Sequence, residues 1–375
     1  SRDNDYTVQV TKQTDAGSHK LTIKGGGNYS GEIKDVEWKI EPMKIDSVMV
    51  SSDISKTYDG TATVTKTAEE WAEVLTFKTL SAYDVVSVPS DAYTISDAYF
   101  VEKSGEETVH SPDAGEKYGI TFKITLKSNN YVLQTYGEDT PSTSKEITQS
   151  GGATFTIKQA TVTSPGEITQ LVFNDLAKTY EIDLNQVLDD ILPEGGTYGD
   201  IQYAQPSVNM NSEYYPVGGA TIGNGKLSLS INKAASSKQG DEIGTVTVKV
   251  ETTNYQPFTL TIHVIAQDKL VPVLAEGNTV SATDITYGQA LADSKLTVNG
   301  TMQDPTTGNA VNGTFAWKDG TIQPAANDSY EAEWTFTPDA PEYATVTGKA
   351  TVKVKPAKLT VSVKASRMYY TGEAQ

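Results

Sequence analysis

The chain has 375 residues, 30 Lys and Arg against 48 Asp and Glu, a formal net charge of −18 and no cysteine. No basic stripe or run of like charges is present, which excludes nucleic acid and anionic membrane as partners, and the lack of thiols excludes disulfide frameworks, thiolate metal sites and cysteine nucleophiles. No apolar run is long enough to span a bilayer, and no charged segment followed by an apolar core opens the sequence, so an export signal or anchor is expected outside this stretch.

With 20 Tyr against 8 Phe, and many Thr, Val, Ile, Gly, Asn and Asp, the vocabulary is that of strands and turns. In chain order, Asp15-Ala16-Gly17 precedes an alternating strand at 21–24, a Gly25-Gly26-Gly27 turn, Asn28-Tyr29, and a strand at 36–40 that runs into Glu41-Pro42. Next come an aromatic turn, Lys56-Thr57-Tyr58-Asp59-Gly60, and a helix over 67–75 with Trp71, Val74 and Leu75 on one side. A strand at 122–127 then closes on Asn130-Tyr131, and one at 155–158 leads into Gln159-Ala160.

The following stretch keeps Lys178-Thr179-Tyr180 without the glycine. Its helix over 183–192 stops at Pro193-Glu194-Gly195-Gly196, and strands at 246–250 and 260–264 flank Asn254-Tyr255. Further on stand Ile285-Thr286-Tyr287-Gly288 and two Asn-Gly pairs, Asn299-Gly300 and Asn312-Gly313, which predict two-residue hairpin turns. A strand at 334–337 leads to Glu342-Tyr343, where Glu replaces Asn, and one at 350–354 leads to Lys355-Pro356-Ala357. The chain ends on an alternating segment at 359–363 and Tyr369-Tyr370-Thr371-Gly372.

Three features thus recur in fixed order: a Tyr turn, a strand closing on Asn-Tyr, and a final strand entering a short linker. The Tyr turns stand 122, 107 and 83 residues apart (58 to 180, 287 and 370), the spacing of whole domains with variable inserts. Length alone suggests two or three domains; the repeats raise the count. The expected division is 1–43, the closing half of a repeat; 44–160; 161–266, a divergent Ig-like module; 267–356; and 357–375, the opening strand of a next repeat. Strict alternation predicts antiparallel sheets with one wet face. The expected fold is all-β: tandem antiparallel domains, Ig-like sandwiches or the smaller β-grasp arrangement, strung as an elongated rod with one or two short helices.

Aligned in this way, the chain resembles the YDG-type and MBG-type tandem repeats of bacterial cell-surface proteins and adhesins. The likeness rests on Lys56-Thr57-Tyr58-Asp59-Gly60-Thr61-Ala62 in one unit. In another it rests on Ile285-Thr286-Tyr287-Gly288-Gln289, Gly313-Thr314-Phe315-Ala316-Trp317 and Phe336-Thr337-Pro338. The resemblance implies a stalk or adhesin segment and carries over no catalytic residues.

The residues agree. His19, His110 and His263 fall in three different units, so neither a histidine acid–base pair nor a zinc site is expected. Asp189-Asp190 and Glu69-Glu70 are helix neighbours pointing in different directions, no spacing matches a calcium loop, and the triglycine lacks the context of a phosphate cradle. We expect no enzyme, cofactor or metal. Trp38, Trp71, Trp317 and Trp334 read as core aromatics, which leaves Tyr214 and Tyr215 as candidate ligand contacts for a glycan or host glycoprotein. Lys and Asn on neighbouring strands leave open an isopeptide cross-link.

The expected function is a non-catalytic spacer or adhesive segment, extracellular and attached to the cell surface through regions outside this stretch. The alternative is a carbohydrate- or protein-binding module in 161–266. The half-repeats at 1–43 and 357–375 further suggest head-to-tail strand completion between copies, the strand at 359–363 pairing with the N-terminal piece of a neighbour.

Overall fold

A computed structural model describes residues 5–79, 84–232, 238–364 and 372–373. The chain is all-β with short helices at Ala68–Val74 (α1) and Leu184–Ile191 (α2). It divides into two compact units, one formed by Ser1–Glu167, Asp183–Pro206 and Thr247–Thr261, the other by Ile168–Ile182, Ser207–Val246 and Ile262–Gln375.

The first unit begins with an antiparallel sheet of β1 (Tyr6–Gln9), β2 (Gly17–Gly25) and β3 (Glu32–Ile40), in which Val8 faces Ile23 and His19 faces Trp38. No residue from 5 to 44 is buried. Strands β4 (Met43–Val50), β5 (Ile54–Thr57), β6 (Leu75–Thr79), β7 (Val85–Val86), β8 (Tyr93–Ser104), β9 (Glu107–His110), β10 (Gly115–Glu116), β11 (Gly119–Leu126), β12 (Tyr131–Leu133), β13 (Ser144–Gln149) and β14 (Phe155–Lys158) follow. They form three sheets, ordered β12-β4-β6-β7, β13-β11-β8-β9 and β10-β14-β5.

The alternation along β11 buries Ile120, Phe122 and Ile124 completely, together with Val50 and Phe100. Each such side chain contributes about 1.5–3 kcal/mol. Helix α1 forms where Thr67 accepts from the Glu70 amide while the Glu70 carboxylate accepts from the Thr67 amide. Its buried Trp71 lies 5.7 Å from Phe122.

The stretch 161–266 supplies β15 (Glu167–Phe173), β16 (Lys178–Asp183), β17 (Ile201–Tyr203), β18 (Ser207–Met210), β19 (Ala220–Gly223), β20 (Lys226–Ile231), β21 (Glu242–Thr252) and β22 (Phe258–Gln267). In the first unit, α2 starts where Asp183 accepts from the Asn185 and Gln186 amides, it buries Leu184 and Leu188, and β17 pairs antiparallel with the end of β21. In the second unit, β16, β20 and β19 form a sheet in that order.

The second unit also contains β23 (Val273–Leu274), β24 (Thr279–Ala282), β25 (Ile285–Thr286), β26 (Leu296–Asn299), β27 (Met302–Gln303), β28 (Ala310–Val311), β29 (Gly313–Trp317), β30 (Asn327–Pro338) and β31 (Val346–Lys355). A four-stranded sheet runs β25-β31-β30-β29. Two apolar clusters fill this part, one around Ile285, Leu291 and Val352, the other around Met302, Trp334 and Phe336.

The alternating strands pair antiparallel, as expected. In addition, the strands before the Tyr58 and Tyr287 turns pair parallel with the last strands of their repeats, β5 with β14 and β25 with β31; Tyr180, expected in a turn, instead lies within β16, which pairs with β20. The turns need their glycines, since Gly60 has φ +79° and Gly288 φ +95°; the last such turn, at Tyr369–Thr371, lies outside the described residues. The two Asn-Gly pairs are not hairpins. After Asn299, β26 having paired with β24, the chain crosses to β27 on β23, and after Asn312 it crosses from β27 to β30. Asn-Gly supplies a tight corner in both settings, and only the long-range pairing decides whether the same two strands meet again.

Candidate functional site

No group of three or more His, Cys, Asp or Glu able to hold a metal occurs among the described residues. The histidines are apart and engaged. His19 contacts the Asp15 carbonyl at 2.8 Å, His110 stacks on Tyr99 at 4.0 Å between ring centres, and His263 lies 3.1 Å from the Glu242 carboxylate. Glu70 is taken by its capping box, and Asp190 accepts from Gln186 at 3.1 Å. Lys117, buried, places its ammonium on Glu102 at 3.2 Å and Ser111 at 3.1 Å.

The candidate aromatics among the described residues are engaged within the fold. Trp71 and Trp334 are buried, and Trp317 donates its indole N–H to the Ser294 carbonyl at 2.7 Å. Tyr214 and Tyr215 sit half-buried in one turn. The Tyr215 hydroxyl accepts the Ala220 amide at 3.0 Å, and the Tyr214 carbonyl accepts from Asn232 at 2.7 Å. The Tyr215 side chain is thereby tied to the loop, and Tyr214 is held through its backbone.

What the fold does bring together is the Asn-Tyr that ends one strand and the Asp-Ala-Gly that opens another a repeat earlier. Asn130 accepts the Ala16 amide on its side-chain oxygen at 2.6 Å and donates its side-chain nitrogen to Asp15 at 3.0 Å. Asn254 repeats the arrangement on the next repeat, accepting from Ala114 at 2.7 Å and donating to Asp113 at 3.0 Å. The asparagine backbone carbonyl accepts from the linker, from Met43 at 2.8 Å in the first case and from Ala160 at 2.9 Å in the second. The tyrosine beside it pairs parallel with the linker, Tyr131 with Met43 and Tyr255 with Ala160. Asp and Ala reach the asparagine because Gly17 and Gly115 share an unusual backbone, φ +142° and +133°.

A third junction keeps the backbone part and changes the side chains. Leu270 donates to the Glu342 carbonyl at 3.0 Å and pairs parallel with Tyr343, but Glu342 now takes the ammonium of Lys178. That ammonium holds the Glu342 carboxyl below its usual range. Tyr343 donates its hydroxyl to Asp304 at 2.8 Å, and Asp304 also accepts the Thr306 and Thr307 amides. These backbone bonds and the Tyr343 hydroxyl lower the Asp304 carboxyl.

Around the second junction the rings are buried. Tyr255 lies 5.5 Å from Tyr58 and 5.3 Å from Tyr198, and the Tyr58 hydroxyl accepts from the Thr197 amide at 2.9 Å. Tyr198 donates to the Leu188 carbonyl and Tyr203 to Asn185; burial pushes both phenols up to about 12. The sequence marked Asp15-Ala16-Gly17 and the Asn-Tyr pairs as punctuation without pairing them. The signal was the second Asp-Ala-Gly, at 113–115, standing ahead of Asn254-Tyr255 as Asp15-Ala16-Gly17 stands ahead of Asn130-Tyr131.

No family model and no curated protein matches the chain. Among solved structures it is similar to the Sidekick-1 immunoglobulin domains 1–5, at 12% identity over 93% of this chain and 68% of that one, with a TM-score of 0.24. It is also similar to the Protocadherin Gamma B2 extracellular cadherin domains 3–6, at 10% identity over 91% and 84% with a TM-score of 0.26. For Drosophila N-cadherin EC1-4 the identity is 10% over 95% and 91%, with a TM-score of 0.21.

Proposed function

We propose that this chain is a non-catalytic structural and adhesive repeat segment, a spacer within a secreted bacterial cell-surface protein related to the YDG- and MBG-type repeats. The observation that carries the reading is the clasp. Asn130 on Asp15-Ala16 and Asn254 on Asp113-Ala114 use the same atoms at successive junctions, and at the third junction both partners change together, to Glu342 and Lys178. A chain that only had to connect independent domains needs no matched side chains at its linkers; a spacer that must hold successive repeats in register does.

The chemistry of the described residues supports the same reading, for its histidines and its buried lysine are engaged with structural partners. The absence of a strongly basic surface and the net charge of −18 fit a protein kept soluble outside the cell.

Two measurements test the proposal. Small-angle scattering of the whole chain should report an extended particle, and the Asn130→Ala/Asn254→Ala double variant should scatter as a broader ensemble; a compact globule overturns the spacer. On a glycan array the chain should bind nothing. A specific signal lost in Tyr214→Ala/Tyr215→Ala would move the function to a carbohydrate-binding module within 161–266.

A further inference from the structure

Within the 267–356 repeat, a cleft of about 420 Å³ opens between β26 and β29, lined by Lys295 and Leu296 on one side and by Phe315 and Trp317 on the other. Among the described residues both strands are sheet edges, since β26 pairs only with β24 and β29 ends the sheet β25-β31-β30-β29. The Thr283 amide donates to the Lys295 carbonyl, so the alternation of an antiparallel pair turns the amides and carbonyls of Leu296 and Val298 away from β24. The Lys318 amide donates to the Glu333 carbonyl, and the same alternation turns those of Phe315 and Trp317 away from β30.

The 44–160 repeat shows what such an edge takes. There β6 corresponds to β26: each follows the Tyr turn and a helical piece, α1 in one and the single turn Leu291–Asp293 in the other. Each pairs back antiparallel with the strand ahead of β5 or β25, Leu75 opposite Val50 and Leu296 opposite Ala282. The outer edge of β6 is covered by β7, with Val86 opposite Phe77, Val85 opposite Lys78, and the Thr79 amide donating to the Asp84 carbonyl at 3.0 Å. Val88, two residues on, is 7% exposed. After β26 the chain crosses instead to β27 on β23 and brings no strand back to that edge. Since β7 belongs to the same repeat as β6, the open edge of β26 is a difference between the repeats themselves.

We propose that an extended segment of a partner protein, alternating aliphatic residues followed by an acidic one, adds antiparallel to β26 as β7 adds to β6. Its backbone exchanges hydrogen bonds with Val298 and then Leu296, and an aliphatic side chain enters the cleft against Leu296, Phe315 and Trp317. The acidic residue then stands opposite Lys295, which is exposed and makes no ion pair among the described residues. An unpaired lysine at the cleft is a local exception on a chain of net charge −18, for Lys318 nearby already sits 2.7 Å from Glu333. A second copy of this chain does not supply the segment, because its Val85-Val86 is paired with its own β6. The inference is independent of the spacer reading, since it concerns one cleft within one repeat.

The probe is the end-capped peptide Val-Val-Ser-Val-Glu, which copies Val85 to Val88 and places its glutamate opposite Lys295. Titrated into the whole chain, it should slow hydrogen exchange at the Leu296 and Val298 amides. Proline in place of its second valine removes the N–H that donates to the Val298 carbonyl and should abolish the effect. Lys295→Glu, a change at an exposed position, should weaken binding about tenfold or more, and the peptide ending in lysine should restore it. No slowing at Leu296 and Val298 with millimolar peptide, equal binding of the proline peptide, or indifference to the charge at position 295 each overturns the proposal. Slowing at these amides that grows with the protein's own concentration, without peptide, overturns it as well, because the occupant is then a second copy.

Discussion

Asn254 is fully buried, and its side chain is satisfied on both ends: the oxygen by Ala114, the nitrogen by Asp113 and the Thr197 carbonyl. Removing it strands a carboxylate, an amide and a carbonyl together. Asn254→Ala should therefore cost about 1–3 kcal/mol in chemical denaturation. Asn254→Asp keeps the shape but sets a second carboxylate against Asp113, so it should be less stable at neutral pH and recover as pH falls through the carboxylate range. Recovery absent on acidification would mean that Asp113 is not the partner that matters.

The phenols of Tyr198 and Tyr203 make a second prediction at this scale. Burial raises both to about 12 from the usual 10.0 of a phenol. Their contribution to stability is present below pH 10.0 and is lost as pH rises toward about 12, because the unfolded chain ionises first. In an alkaline absorbance titration Tyr198→Phe together with Tyr203→Phe should reduce the late-ionising fraction by two tyrosines, leaving the part that the raised Tyr93, Tyr180, Tyr255 and Tyr343 contribute.

At the scale of elements, the strand before the second clasp depends on one backbone angle. Gly115 has φ +133°, and a Cβ there would meet nothing within 4 Å, so Gly115→Ala suffers from its backbone alone, about 1–3 kcal/mol. A denaturation midpoint unchanged in Gly115→Ala would show that β10 can turn without that angle. The third junction is carried by an ion pair instead. Lys178→Glu should destabilise, Lys178→Glu/Glu342→Lys should restore, and the wild-type pair should weaken as pH falls through the lowered Glu342 range.

Such strands were readable beforehand because period-two burial is local: β11 and β31 wear their faces in their sequences. Helix α1 was readable from an equally local signal, Trp71, Val74 and Leu75 on one side, and all three are buried. The Asn-Gly corners at Asn299 and Asn312 were not, since a two-residue turn carries no record of which strand its second arm will join. The clasp was half readable. Its residues recur in order, but that Asn254 meets Asp113 is a fact about packing across 141 positions of chain.

That separation makes the coupling within the first unit measurable over the whole molecule. If each clasp is an independent lock, opening one leaves the other closed. In Asn254→Ala, hydrogen exchange at the Ala114 amide should accelerate, because its acceptor is gone, while the Ala16 amide, held by Asn130 at 2.6 Å, keeps its wild-type rate. In Asn130→Ala the pattern should invert. Independence is expected because each asparagine is anchored by its own linker, Met43 for one and Ala160 for the other, and no hydrogen bond joins the two sites among the described residues. Were both amides to accelerate in either variant, the stretch between them would be opening as one cooperative body. Segments would then add strength to the chain through shared stability, and the matched side chains at the junctions would be secondary.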